Sequence, residues 1–208
     1  SYTDHVVDNK KAFVKVQSVE EKEKLDYSNI VSWDLETFIK DKRNNMCVPY
    51  ASAWMINGEY KVVYGKECMD KTIDEFITYE KKIISAFNGS RFDFYMLMNA
   101  LTERGIPIHN FILSGGRIIS LTYGKENKVF DICLFINSSL DDACKEFKIK
   151  NAKSSFDHTL IQTWDDTVKH KSTVLPYLEK DVLALNELFM TFNNMMYDQM
   201  KVNITNYI

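Results

Sequence analysis

Asp34 and Glu36, in S-W-D-L-E-T-F, form the one D-x-E pair in the 208-residue chain. In an extended strand, residues two apart point to the same face. The pair would therefore set two negative charges side by side, which is costly unless a cation lies between them. Hard divalent ions such as Mg²⁺ and Mn²⁺ take oxygen ligands of this kind. For a D-x-E taken alone, a solvated sheet face is the commoner explanation. A third acid, Asp93 in F-N-G-S-R-F-D-F, falls where a strand hands over to a helix, after the turn-forming Asn88-Gly89. A carboxylate at a helix start is favourable without any function. The same asparagine–aromatic–aspartate pattern recurs at Asn127 to Asp131 and at Asn194 to Asp198, so only order and setting single out Asp93. A fourth acid, Asp181 in Y-L-E-K-D, follows Tyr177 by four residues, which puts phenol and carboxylate on one face of a helix. A buried tyrosine beside a surface aspartate has the same spacing. In combination, a strand D-x-E, an aspartate at a strand–helix junction and a helical Y-x-x-x-D, in that order, read as a metal site gathered from three parts of the chain.

The elements that would position these residues follow from hydrophobic pattern and turn signals. From 29 to 38, Val31, Trp33 and Leu35 alternate with Ser32, Asp34 and Glu36, the signature of a strand. Strands are expected at 47–56 and 60–64, joined by the hairpin pair Asn57-Gly58. A helix is expected at 70–82 with Ile73, Phe76 and Ile77 inward, then a short buried strand at 83–87. Next come a helix from Phe92 to Glu103, ended by Gly105 and Pro107, and strand runs at 117–123 and 128–136. A helix capped by Ser139 near 139–147 is followed by helices from about 173 onward, with Pro176 in a first turn. The order predicts an α/β fold with a ribonuclease H-like mixed β-sheet, three antiparallel strands first, flanked by helices.

Composition bounds the function. The chain is 45% hydrophobic and 26% charged, the balance of an ordinary globular domain with a full core. A net charge of −3 argues against an open basic nucleic-acid face, but not against a site whose metal ions bring the positive charge. No uncharged apolar stretch of about 18 residues predicts a membrane span, and no secretory signal is read at the N-terminus; an intracellular protein is expected. The first residue is serine, which reads as a fragment or an expressed piece of a longer chain. Cys47, Cys68, Cys133 and Cys144 are widely spaced among apolar neighbours and read as reduced, buried thiols. His5, His109, His158 and His170 lack zinc-ligand spacing.

With these motifs in place, residues 28–208 resemble the DEDD-type 3′→5′ exonucleases that carry tyrosine in the third motif. More narrowly, they resemble the proofreading domain of protein-primed family B DNA polymerases of linear plasmids, phages and related mobile elements. Asp34 and Glu36 match the first motif, Asn88, Phe92 and Asp93 the second, and Tyr177 and Asp181 the third. The resemblance implies two divalent ions, Mg or Mn, held by Asp34, Glu36, Asp93 and Asp181, with Tyr177 orienting the attacking water. It implies that Thr37, Asn88 and Phe92 hold a single-stranded 3′ end, with Phe38 and Tyr95 as further stacking platforms or core residues. Lys153, in A-K-S-S-F-D-H, matches a lysine that assists catalysis, with Phe156 near its aromatic partner; a surface lysine beside Lys145, Lys148 and Lys150 fits as well. The chain departs from the family after Asp131, where Ile132 and Cys133 replace a Ser/Thr-Leu pair that grips DNA. Ser139-Leu140 downstream either substitutes for that pair or only begins a helix.

The resemblance further implies a lead-in over 1–28, the exonuclease domain over 29–195, and over 196–208 the start of a connection to a polymerase domain of the same longer chain. No Y-x-D-T-D polymerase motif occurs. The implied partners are a single-stranded or frayed DNA 3′ end, that polymerase domain and a terminal protein primer, with the chain itself a monomer. Two alternatives stand beside this: a stand-alone RNA 3′-exonuclease of the same superfamily, and a catalytically silent domain that only binds a strand or a partner.

Overall fold

The structure, a computed structural model, describes residues 23–151 and 154–207. Lys153 and the lead-in up to residue 22 lie outside these. Seven strands form one mixed sheet: β1 Ile30–Asp41, β2 Met46–Ile56, β3 Glu59–Tyr64, β4 Ile83–Ala86, β5 Ile108–Ser114, β6 Arg117–Tyr123 and β7 Asn127–Asp131. Their spatial order is β3-β2-β1-β4-β7-β6-β5. The centre, β1-β4-β7, is parallel, and both flanks are antiparallel. Among the described residues, five α-helices accompany the sheet: α1 Cys68–Phe76, α2 Asp93–Glu103, α3 Leu140–Glu146, α4 Trp164–Lys169 and α5 Lys171–Met200. The expected α/β, ribonuclease H-like mixed sheet is therefore the fold, three antiparallel strands first.

Strand β1 is buried on both faces through Phe38, and this is why it carries the site. Val31, Trp33 and Leu35 pack into the core under α1 and α2, with Trp54, Phe76, Phe94 and Leu97. Trp33 and Trp54 each meet Phe76 edge-on, at 5.5 and 5.4 Å. Full burial of one such side chain is worth roughly 1.5–3 kcal/mol relative to exposure. The alternate positions of β1 face α5. The Ser32 hydroxyl donates to Asn186 Oδ1 at 3.1 Å, and Phe38 joins Val174, Leu178 and Val182 of α5 in a separate cluster. Asp34 and Glu36 lie between Ser32 and Phe38 on that face, so the helix that buries it necessarily confronts them.

Several local expectations are refined. The Asn57-Gly58 turn has both residues at positive φ, 49° and 78°, as a two-residue hairpin of this hand requires. The helix expected at 70–82 is shorter, Cys68–Phe76. The run 128–136 leaves the sheet at Asp131 and becomes a 3₁₀ turn, Ile132–Leu134, because the Asp131 carboxylate accepts from Cys133 N. Strand β5 was not expected: I-H-N-F-I-L-S has no period-2 alternation, and its side chains are mostly exposed at the sheet edge. Ser139 caps α3 by accepting from Asp142 N. Pro176 is the sixth residue of α5 and not in its first turn, so the Ser172 carbonyl receives no helical donor from it. Cys68 and Cys144 are buried thiols as expected, but Cys47 is exposed; none of the four is bridged. No described helix is long and apolar enough to cross a membrane.

Candidate active site

The first two acids come from the middle of β1, just before a register shift between Glu36 and Thr37. Asp181 comes from α5, which crosses the face they occupy. Asp34, Glu36 and Asp181 offer carboxylate oxygens that all lie within 4.8 Å of one another, and Glu36 and Asp181 are buried. Three carboxylates at this spacing, with only oxygen donors, form a set that could hold a hard divalent cation. The acids expected from two distant parts of the sequence are thus brought together.

Tyr177, one helical turn before Asp181, faces the same group and is 5% exposed. Burial, then the nearby Asp181 and Glu36 carboxylates and a hydrogen bond to Asp181, hold its phenol well above the ordinary range. Its surroundings thus favour the protonated hydroxyl, with Asp181 as its acceptor.

Asp93 stands outside the triplet but lines the same cleft, at the first position of α2. Its carboxyl is raised to about 7, first by burial and then by Asp131, against backbone hydrogen bonds at Asp93 itself and at Leu35 of β1. The preceding turn is built for close approach. Asn88 takes the left-handed conformation, φ 60°, which asparagine tolerates. A Cβ on Gly89 would meet Ala86 Cβ at 2.6 Å. Asp131 clamps the turn, accepting from Asn88 N at 2.9 Å and Ser90 N at 3.0 Å. Asp131, met in the sequence as one of the repeats of the second motif, is therefore a buried pin for that motif. Its role was hidden because the partners are backbone N–H groups, which carry no sequence signal.

Two cavities meet at the acids. The larger, about 1070 Å³, is lined by Glu36, Thr37, Asn88, Phe92, Asp93 and Tyr177 among others, with Lys42 and Arg91 as its cations. Phe92 is 62% exposed and so is available for stacking. The other two aromatics, read from the sequence as platforms or core residues, are less open. Phe38 is 4% exposed and packs edge-on against Trp164. Tyr95 spends its hydroxyl on Gly116 O, 2.8 Å away. The smaller cavity, about 380 Å³, shares Asp34, Asp181, Phe87 and Asn88 with the larger one. Cys133, Ser138, Ser139 and Leu140 also line it, with Arg117 as its one cation. Ser139 therefore both caps a helix and borders the site.

His158, set aside in the sequence for want of zinc spacing, also belongs to the site. Its Nδ1 lies 3.5 Å from Glu36 Oε2, and its Nε2 lies 3.4 Å from the Tyr177 hydroxyl. Phe156 stacks against both rings, with centroids 5.5 Å from Tyr177 and 5.4 Å from His158.

A ribonuclease H-like sheet with an acid cluster between its first strand and its last long helix defines the class of domain. Residues 73–175 match the family described as DNA polymerase type B, organellar and viral. Over 174 residues the chain is 27% identical to the DNA-directed DNA polymerase of Enterobacteria phage PRD1, covering 82% of this chain and 28% of that protein. In fold it is similar to Phi29 DNA polymerase complexed with single-stranded DNA, with TM-score 0.64 and 16% identity over 82% of this chain and 31% of the other. It is also similar to the family B DNA polymerase of the archaeon Pyrobaculum calidifontis, with TM-score 0.56 and 15% identity over 80% of this chain and 24% of the other. The chain thus spans less than a third of these relatives. It is similar to part of type B and phage DNA polymerases, as its motifs implied.

Proposed function

We propose that the chain is a metal-dependent 3′→5′ exonuclease that removes nucleotides from single-stranded or frayed DNA ends, the proofreading part of a protein-primed DNA polymerase. The observation that carries this reading is the meeting of Asp34, Glu36 and Asp181 within 4.8 Å beside a buried Tyr177. Phi29 polymerase, similar in fold, is described in complex with single-stranded DNA, which supports DNA as the ligand of the cleft.

Asp34, Glu36 and Asp181 would hold divalent ions, Mg or Mn, with Asp93 joining once its proton is lost. When bound, such ions acidify water and offset charge on a phosphate. The protein's own groups do the rest. Tyr177 keeps its proton, so its hydroxyl fixes the direction of a water beside the scissile phosphate. Phe92 offers a stacking face that tolerates any base, and Asn88 and Thr37 supply polar contacts to the sugar–phosphate chain. A strand must be unpaired to enter, so mismatched ends have the advantage without any base recognition. Lys153 keeps the role of offsetting phosphate charge as a proposal from its motif. In this reading, residues 29–195 form the exonuclease domain and 196–208 lead toward a polymerase domain in a longer chain, with a terminal protein as the priming partner.

The test is digestion of a 5′-labelled single-stranded DNA oligonucleotide with Mg²⁺ or Mn²⁺, beside an RNA of the same sequence. A ladder shortened from the 3′ end, dependent on metal and lost in the folded Asp34→Ala/Glu36→Ala chain, is expected. Faster digestion of the RNA would redirect the reading to an RNA exonuclease. A folded wild type that binds the strand and never shortens it would leave a binding module.

A further inference from the structure

Among the described residues, one histidine borders the acids, and it reaches two groups the reaction would use. His158 presents Nδ1 to Glu36 at 3.5 Å and Nε2 to the Tyr177 hydroxyl at 3.4 Å. The ring is not aimed by chance. It sits in the first position of a 3₁₀ turn, His158–Leu160, whose cap Asp157 accepts from both the backbone N–H and the hydroxyl of Thr159. Phe156, two residues earlier, packs edge-on against the imidazole and at a tilt against Tyr177, and the imidazole and phenol rings are themselves 5.5 Å apart, edge-on. Three rings therefore support one another over the buried Glu36 carboxylate.

We propose, resting on the exonuclease reading, that His158 is a positioning residue. Its imidazole links Glu36 of the first motif to Tyr177 of the third and holds the tyrosine hydroxyl over the acid cluster. The link has a physical purpose. Tyr177 and Glu36 come from a helix and a strand far apart in the chain, and a tyrosine ring can turn away from the acids by a change of χ1 alone. A side chain with a polar atom at each end, seated between them, makes that departure cost a contact. Each imidazole nitrogen is a polar atom able to donate or accept: Nδ1 faces the acid, and Nε2 faces the oxygen of the Tyr177 hydroxyl, whose own hydrogen is directed at Asp181. The His158 side chain is 57% exposed and lines the same cavity as Tyr177.

The test has two arms on the full chain. In the first, 3-fluorotyrosine is placed at position 177 and its ¹⁹F resonance recorded without metal. His158→Ala is expected to shift and broaden the signal, and His158→Gln, which retains a polar end toward Tyr177, to restore most of it. An unchanged resonance in His158→Ala overturns the proposal, whether or not the chain is a nuclease. In the second, steady-state digestion of single-stranded DNA is compared. A loss in kcat of between about 10- and 100-fold for His158→Ala, the scale of a small misplacement of a reacting group, with KM within about twofold and partial rescue by His158→Gln, supports it. A change confined to KM would make His158 a strand-binding residue and overturn the positioning role. A folded wild type without activity would defeat the exonuclease reading alone, and the fluorine arm would still decide whether His158 holds Tyr177.

Discussion

The two halves of α5 bury polar groups in opposite ways. Near its start, Tyr177 and Asp181 face Asp34 and Glu36, so like charges are gathered in a partly dry cleft. Near its end, Asn193 faces neutral partners and every contact is complementary. Its Nδ2 donates to the Tyr27 hydroxyl at 3.2 Å and to Asn203 Oδ1 at 3.1 Å, and its Oδ1 accepts from Ile204 N at 2.8 Å. Asn203 in turn accepts from Leu25 N and donates to Glu23 O, and Tyr27 donates to Asn194 Oδ1 at 2.6 Å. Neutral amides that satisfy one another rigidify a fold. Clustered carboxylates store unfavourable energy that a cation can release. The first arrangement is that of a site, the second that of a clamp. The clamp also ties residues 23–27 to 203–204, so the outer segments of the described chain pack as part of the domain.

The contrast can be broken first at the acids. Asp34→Ala/Glu36→Ala is expected to lower digestion of single-stranded DNA by about 10³-fold or more, in line with the several kcal/mol that metal ions supply. The same change should leave metal-free stability equal or higher in urea titration, because it removes repulsion. At the clamp, Asn193→Ala should do the reverse. It strands the buried Ile204 N–H and should cost about 2–3 kcal/mol, lowering Tm by roughly 4–12 °C in a chain of this size, with kcat unchanged. Metal sharpens the comparison: at a concentration near 100 times Kd, Mg²⁺ or Mn²⁺ should stabilise the wild type by about 2.7 kcal/mol. Asn193→Ala should gain as much, and Asp34→Ala/Glu36→Ala should gain nothing, all by thermal unfolding.

The remaining expected effect is a slope with pH. Asp93 is raised from 3.8 to about 7 by burial and by Asp131, so the folded chain keeps a proton that the unfolded chain releases. Its contribution to metal-free stability is therefore full below about pH 4 and lost as pH rises toward 7, by at most about 1.4 kcal/mol per unit. Asp93→Asn should remove that part of the pH dependence in urea titrations between pH 4 and 8. An identical slope in the variant would show that Asp93 is ionised throughout.

Much of this architecture was legible in the chain. The alternation around Trp33 reveals a strand, Asn57-Gly58 its hairpin, Ser139 a helix start and the Y-x-x-x-D spacing a helical face, because each depends on residues within a few positions of one another. β5 was not legible, since an exposed edge strand needs no hydrophobic period. Nor was the burial of Phe38, whose aromatic character fits a platform or a core equally and whose fate depends on Trp164 and α5.

The acids that could hold metal were thus determined by the sequence itself, because a hard cation needs carboxylates and only a few stood in ordered, strand-compatible and helix-compatible spacing. What tertiary structure alone decided was their company. Asp34, Glu36 and Asp181 meet as a triplet while Asp93 stays beside it, Asp131 pins the second motif through backbone N–H groups, and His158 arrives between Glu36 and Tyr177. These are contacts between residues tens to more than a hundred positions apart, made by strand order and by where a helix crosses the sheet. No local spacing encodes them, because local spacing sets only which face a side chain takes and not what the fold brings to meet it.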